Sequence, residues 1–268
     1  MRCSRMTRFS FDGGLQMDQP LVSVIIPAYN CAGTIGDTLE SVLRQRVSME
    51  VIVVNDCSPD QLDKTMAAYL DDPRIVYLRN GKNLGASGSR NKAVSLAKGK
   101  YVAFIDSDDQ WADNKLEKQL NALEATGAVL CCTARELLTP EGRPTGRMIP
   151  VKPVISYREL LKHNSINCSS VLIPAEIARE FPMEYEDSHE DYITWLKILR
   201  KYGNAVGINE PLLKYRLTTT GKSGNKLKSA AMTYKVYRYM GFGYMKAAVC
   251  FASYAVHGVA KYLKSYLK

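Results

Sequence analysis

The sequence predicts an α/β protein: a mostly parallel sheet with helices on both faces, followed by a helical tail of different character. Three observations carry this expectation. Short, unbroken apolar runs alternate with segments of helical period, the pattern of strands covered on both faces and joined by crossover helices. Several of those runs end on segments rich in Asn, Asp or Gly. From Lys222 to Lys268, nine of the chain's 36 basic residues occur without one acidic residue, which leaves 27 basic against 27 acidic residues before them.

Val22–Ile26 is the first strand, followed by Pro27, Ala28, Tyr29 and Asn30 and then by a helix over 34–45. Glu50–Val54 is the second strand. Ser58 has the character of an N-cap, with Pro59 at the first helical position, and opens a helix reaching Leu70. Ile75–Leu78 is the third strand, Ala86–Ala97 a helix ended by Gly99, Tyr101–Ile105 the fourth strand, and Asn114–Ala125 a helix ended by Gly127. Beyond these lie a strand over Val129–Ala134 and a turn at Pro140-Glu141-Gly142 between two extended arms. A short helix over Tyr157–Lys162 and a strand over Ser169–Ile173 come next. A helix over Glu190–Tyr202 offers Ile193, Leu196, Ile198 and Leu199 to a core, and Val206–Ile208 and Leu212–Tyr215 close the body as short strands. The expected organisation is a loose leader over 1–19, a body over 20–221 and a tail over 222–268.

At 268 residues, with 46% apolar and 24% charged residues, the composition is that of an ordinary globular protein. The net charge of +9 belongs to the tail, whereas a nucleic-acid-binding domain carries its charge on the fold, so no nucleic-acid partner is expected. Seven cysteines without a C-x-x-C pair read as small apolar residues in a reducing compartment. Three histidines at no ligand spacing argue against zinc. The first sixteen residues contain Arg2, Arg5 and Arg8 but no apolar core of a secretory signal, and Met17 is an alternative start.

The densest chemistry is Asp106-Ser107-Asp108-Asp109, at the end of the fourth strand. In an open α/β sheet, ligands bind at the carboxyl ends of the strands. Three carboxylates in four residues repel one another unless a cation sits among them, and a hard divalent ion carrying a diphosphate fits that role. The bland alternative is an acidic turn before the next helix. Three further segments fall at the carboxyl ends of the preceding strands: Pro27-Ala28-Tyr29-Asn30, Asn55-Asp56, and Asn83-Leu84-Gly85 with Arg90. Together they read as a nucleotide-sugar site. Tyr29 and the backbone around it can cover a base, and Asp56 can accept from a pyrimidine N–H. Gly85 permits close backbone approach, with Arg90 near base or phosphates. Asp106 takes ribose or metal, and Asp108 a metal, Mn2+ or Mg2+, that bridges both phosphates. Neither G-x-G-x-x-G nor G-x-x-x-x-G-K-[ST] occurs, so a dinucleotide site and a P-loop are both unsupported.

These segments, with Val22-Ser-Val-Ile-Ile-Pro-Ala-Tyr-Asn30, Phe104-Ile-Asp-Ser-Asp-Asp109 and His189-Glu-Asp191, resemble the family 2 glycosyltransferases. The resemblance covers residues 20–220. It implies the GT-A fold, a Rossmann-like and mostly parallel sheet, with a nucleotide-binding half over 20–110 and an acceptor-binding half over 111–221. It implies an inverting, metal-dependent transferase with Asp56 on the base, Asp106 on the nucleotide, Asp108 on the metal and Asp191 as general base. Arg216 is implied as a phosphate contact. Asn55 and Ser87-Gly88-Ser89 depart slightly from the commoner pattern. Read without the resemblance, Glu190 and Asp191 are acids at a helix N-terminus, favoured by its dipole. Trp195 either stacks on a sugar ring or fills the core. The expected donor is UDP-linked, and the acceptor a saccharide or lipid-linked saccharide of a surface polysaccharide. The rival readings are a sugar nucleotidyltransferase and an inactive scaffold.

In the tail, Lys228, Lys235, Arg238, Lys246, Lys261, Lys264 and Lys268 fall within one helical arc of about 140°. Tyr237, Met240, Tyr244, Phe251 and Tyr254 lie on much of the opposite side, and Gly241 and Gly243 are candidate breaks. The expectation is a helix lying on an anionic membrane surface, at the cytoplasmic, inner face of the cell membrane. The alternative is a helix pair packed on the body or on a second subunit.

Overall fold

The computed structural model describes residues 19–218 and 226–266. Most of the expected leader, 1–18, and the start of the tail, 222–225, lie outside the described residues. Strands β1 (Val22–Ala28), β2 (Met49–Asn55), β3 (Ile75–Arg79) and β4 (Tyr101–Phe104) pair in parallel in the order β3-β2-β1-β4. Helices α1 (Ile35–Leu43), α2 (Leu62–Met66) and α3 (Gly85–Leu96) make the crossovers. Successive residues of β1 face opposite layers, as the two-residue period of a strand requires. Val22, Val24 and Ile26 pack in one core with Ile35, Leu39, Leu62 and Leu116, whereas Ile25 packs in the other with Ala93, Val94 and Trp195. Each full burial of such a side chain is worth roughly 1.5–3 kcal/mol. The register of β1 is therefore fixed by both layers at once.

The second half of the sheet is mixed. After β5 (Gln110–Trp111) and α4 (Lys115–Thr126) come β6 (Cys131–Leu138), β7 (Pro144–Ile149), β8 (Val154–Ile155), α5 (Tyr157–Lys162) and β9 (Leu172–Pro174). Then follow α6 (Ala175–Glu180), α7 (Glu190–Tyr202), β10 (Ala205–Arg216), α8 (Lys226–Tyr239) and α9 (Tyr244–Tyr266). β9 enters antiparallel between β4 and β6, β10 runs parallel to β6, and β5 closes the far edge against β10. That route returns the chain from α7 to the acidic loop after β4.

Four local expectations change. Ser58 does not cap a helix, and α2 begins only at Leu62. The Ser58 hydroxyl accepts from the Asn30 N–H at 2.7 Å and donates to Asp60 Oδ1 at 2.6 Å, so it ties two loops together. The strand expected over Ser169–Ile173 is a 3-10 turn over Cys168–Ser170, with only Leu172–Pro174 extended. The two expected last strands are one, β10, irregular between Ile208 and Leu213. Part of the aromatic side of the tail faces inward: Tyr237 and Met240 are buried and Tyr254 stacks on His163 at 5.6 Å, whereas Tyr244 is exposed. Among the described residues, α9 exposes Met245, Val249 and Val256, at 83%, 68% and 67%, together with Tyr244. The break between α8 and α9 holds Gly241 at φ +82, which needs no side chain to adopt. Among the described residues, no helix is long and apolar enough to cross a membrane.

Candidate active site

The loops after β1, β2 and β3 meet at one end of the sheet. Ala28 is buried, Pro27 partly so, and Tyr29 is 52% exposed beside Asn30, whose φ of +51 is left-handed. The Asp56 N–H donates to Ala28 O at 2.8 Å. Its side chain is buried, and Oδ1 accepts from Asn80 Nδ2 and from the Leu84 N–H, both at 2.8 Å. Gly85 opens α3 at φ +75, and a Cβ there would meet the Glu186 carboxyl carbon at 2.7 Å. Glu186 in turn accepts from the Ser87 N–H at 3.1 Å and from the Ser87 hydroxyl. The close approach that only glycine allows is thus made, in this structure, by the chain's own Glu186.

The acidic loop after β4 is pinned to α1 through its backbone: Thr34 Oγ1 donates to Ser107 O at 2.9 Å and Thr38 Oγ1 to Asp109 O at 2.7 Å. Asp106 and Ser107 are partly exposed. Burial, and then the Asp106 charge, push the Asp108 carboxyl up to about 6. Asp109 is fully buried, with Oδ1 accepting from the Arg216 N–H at 2.9 Å and Oδ2 without a hydrogen-bond partner. Arg216 is buried behind this loop. It donates from Nε to Asp108 O and from Nη2 to Asp37 Oδ2, each at 2.9 Å, and from Nη1 to Pro140 O at 3.1 Å. A Cβ on Gly142 would meet that guanidinium at 2.6 Å. Arg216 therefore braces the loop, with its donors already engaged.

Arg90, on α3, is 5% exposed and joins two distant segments. Nη2 donates to Asp106 Oδ1 at 2.5 Å, and Nη1 to Glu190 Oε1 at 3.2 Å. Glu190 and Asp191 open α7, so the acidic loop and the α7 N-terminus are linked through one side chain. Asp191 accepts from the Tyr192 N–H at 2.8 Å. Burial first, and then the Glu190 charge, raise its carboxyl to about 6. Trp195 is fully buried, 5.9 Å from Phe104 between ring centroids, and its Nε1 has no hydrogen-bond partner. Of the two expectations for Trp195 the sugar-stacking one is corrected: it shares a helix face with Asp191, one turn away, and its ring is covered in the core against Phe104. Asn80, Asp37 and Glu186 were not anticipated. Asn80 follows β3 directly and was within reach of the strand-end rule, whereas the other two come from segments with no strand end to mark them.

Residues 23–173 match the model of glycosyl transferase family 2. The chain belongs to this family. It is 40% identical over 91% of its length, and 98% of the relative's, to the putative teichuronic acid biosynthesis glycosyltransferase TuaG of Bacillus subtilis. It is 34% identical, over 92% and 97%, to the UDP-Glc:alpha-D-GlcNAc-diphosphoundecaprenol beta-1,3-glucosyltransferase WfaP of Escherichia coli. Among solved structures, S. aureus TarS 1-349 in complex with UDP-GlcNAc superposes with a TM-score of 0.68 over 87% of this chain and 71% of that one, at 19% identity. The mannosyltransferase PcManGT of Pyrobaculum calidifontis, in complex with GDP-Man and Mn2+, gives 0.66 over 84% and 65%, at 18% identity. The fold of this family 2 glycosyltransferase is GT-A. Among its described residues no group of three or more metal-ligating side chains occurs. Asp106 and Asp108 nonetheless fit a divalent ion, because burial and the Asp106 charge raise the cost of charge on Asp108 and a cation there removes it.

Proposed function

We propose that this glycosyltransferase transfers a hexose or N-acetylhexosamine from a UDP-linked donor to a saccharide or lipid-linked saccharide, with inversion, in surface polysaccharide assembly. The observation that carries the reading is the chain Asp106–Arg90–Glu190, because one buried arginine links the acidic loop that holds Asp106 and Asp108 to the α7 start that holds Glu190 and Asp191. The relatives support the substrate class: one is named for teichuronic acid biosynthesis and one for a diphosphoundecaprenol-linked acceptor.

In this reading Tyr29 and Asp56 receive the base, Asp106 the ribose, and Asp106 and Asp108 hold Mn2+ or Mg2+. A metal bound there supplies Lewis-acid neutralisation of charge on the leaving diphosphate. Asp191 takes the proton of the acceptor hydroxyl as that oxygen attacks the anomeric carbon from the opposite face. A carboxyl raised to about 6 is well matched to that task near neutral pH. Arg90 keeps Glu190 and Asp106 in place on either side of the reacting centre, and Arg216 keeps the Asp108 loop against α1. The tail brings the enzyme to an anionic membrane surface on the cytoplasmic side, through the stripe of Met245, Val249 and Val256.

Thermal unfolding with UDP, GDP, CDP and dTDP, each with and without Mn2+, tests the donor site. A ligand at about 100 times its dissociation constant adds roughly 2.7 kcal/mol, a shift on the order of several degrees. A Mn2+-dependent shift with UDP is expected; no shift with any nucleotide would sink the enzyme reading.

A further inference from the structure

Asn80, one residue past β3 and 4% exposed, engages its backbone N–H and both ends of its side-chain amide. Its N–H donates to Asn55 O at 2.8 Å. Its Nδ2 donates to Asp56 Oδ1 at 2.8 Å and to Ser89 Oγ at 3.0 Å, and its Oδ1 accepts from Lys92 Nζ at 2.8 Å. An amide side chain has one accepting and one donating end, and an ammonium group only donates. Lys92 therefore decides which end of Asn80 faces Asp56. With the Leu84 N–H as second donor, the side-chain hydrogen bonds of Asp56 all fall on Oδ1. A groove of about 520 Å³, lined by Asn80, Gly81, Lys82, Leu84 and Lys92, opens beside this relay.

We propose that Asn80, oriented by Lys92, is the positioning residue that sets base selectivity, by presenting Asp56 Oδ2 as a lone acceptor to a base edge carrying a ring N–H. Uracil has that N–H at N3; cytosine has an acceptor there and is disfavoured. The inference rests on the reading of Asp56 as the base contact.

The test is thermal unfolding and donor kinetics of the full chain with UDP and CDP, each with Mn2+. It compares wild type with Asp56→Asn, Asn80→Ala, Asn80→Asp and Lys92→Met. Removing a donor to a buried charged acceptor costs on the order of tenfold in affinity or more. Asn80→Ala and Lys92→Met are expected to raise the donor KM by about that factor, to change kcat by less than about twofold, and to narrow the UDP-over-CDP preference. Asn80→Asp places two carboxyl groups together, one of which then holds a proton it can donate, and is expected to move the preference toward CDP. An unchanged UDP/CDP ratio in Asn80→Ala and Lys92→Met, alongside its loss in Asp56→Asn, would leave the base contact standing and remove Asn80 from it. Wild type without preference, or Asp56→Asn that keeps it, would overturn the base-contact reading and this inference together. Should Asn80→Ala fail to fold, Lys92→Met, at the half-buried outer end of the relay, decides the question.

Discussion

The carboxylates at the two ends of the site differ in how they are held. Asp56 sits under two donors from its own surroundings, an amide and a backbone N–H. Asp108 has only its own backbone N–H and the more remote charge of Arg216, and Asp191 accepts from the Tyr192 N–H; both are raised to about 6, by burial before anything else. A carboxylate already held by donors is suited to fixing a ligand's position. One left short of donors is suited to gaining a cation or a proton, because either relieves the cost of its burial. Arg90 spans the two conditions, since its ion pairs go to Asp106 and Glu190, and its charge reaches Asp191 only as a lesser influence than burial and Glu190.

The strongest way to break this contrast is Asp191→Asn. It is expected to lower turnover by about 10²–10⁴-fold while the UDP shift in unfolding temperature persists. Near-normal turnover would remove the base assignment. Arg90→Met leaves two carboxylates without their shared cation and is expected to cost about 3–5 kcal/mol in chemical denaturation. A loss within error would mean that solvent already does Arg90's work. Asp108→Asn should abolish the Mn2+-dependent part of nucleotide stabilisation, roughly 2.7 kcal/mol at saturating ligand, while sparing any metal-free part.

The pH profile sharpens the same contrast. The folded Asp191 carboxyl keeps its proton to about 6, against 3.8 for an ordinary aspartate, so the native state binds more protons between those values than the unfolded chain. Its contribution to stability therefore declines as pH rises from about 4 to 6, while turnover climbs over the upper part of that window. In Asp191→Asn the residual stability curve should be flatter there; an unaltered slope would assign it to Asp108 or Asp109. The smallest effect is expected at the tail. Val249→Asp should lower binding to anionic lipid vesicles several-fold, with turnover on a water-soluble acceptor unchanged.

How far the sequence reached can be read from particular residues. The nearly continuous apolar runs Val22–Ile26 and Val51–Val54 determined a doubly covered sheet, because a strand buried on both faces has no room for a polar residue without a partner, and Ser23 has one in Glu50. The strand-end rule then determined that Asp56, Gly85, Asp106 and Asp108 lie at one end of that sheet, which needs only the parallel direction of β1 to β4. Tertiary structure alone decided their company. Arg90 reads in the sequence as a residue near base or phosphates, and the structure buries it between Asp106 and Glu190, the latter one hundred residues further along the chain. Arg216 was expected on phosphate and instead braces the acidic loop from behind, because β10 runs back beside β6 and delivers its end there. The inward packing of Tyr237 and Tyr254 was decided in the same way, by where α7 and the end of α5 offered Tyr192 and His163. Local period and strand direction are properties of a segment. Which charge meets which, and which apolar face finds a partner, depend on contacts between segments far apart in the chain, and no single segment carries that information.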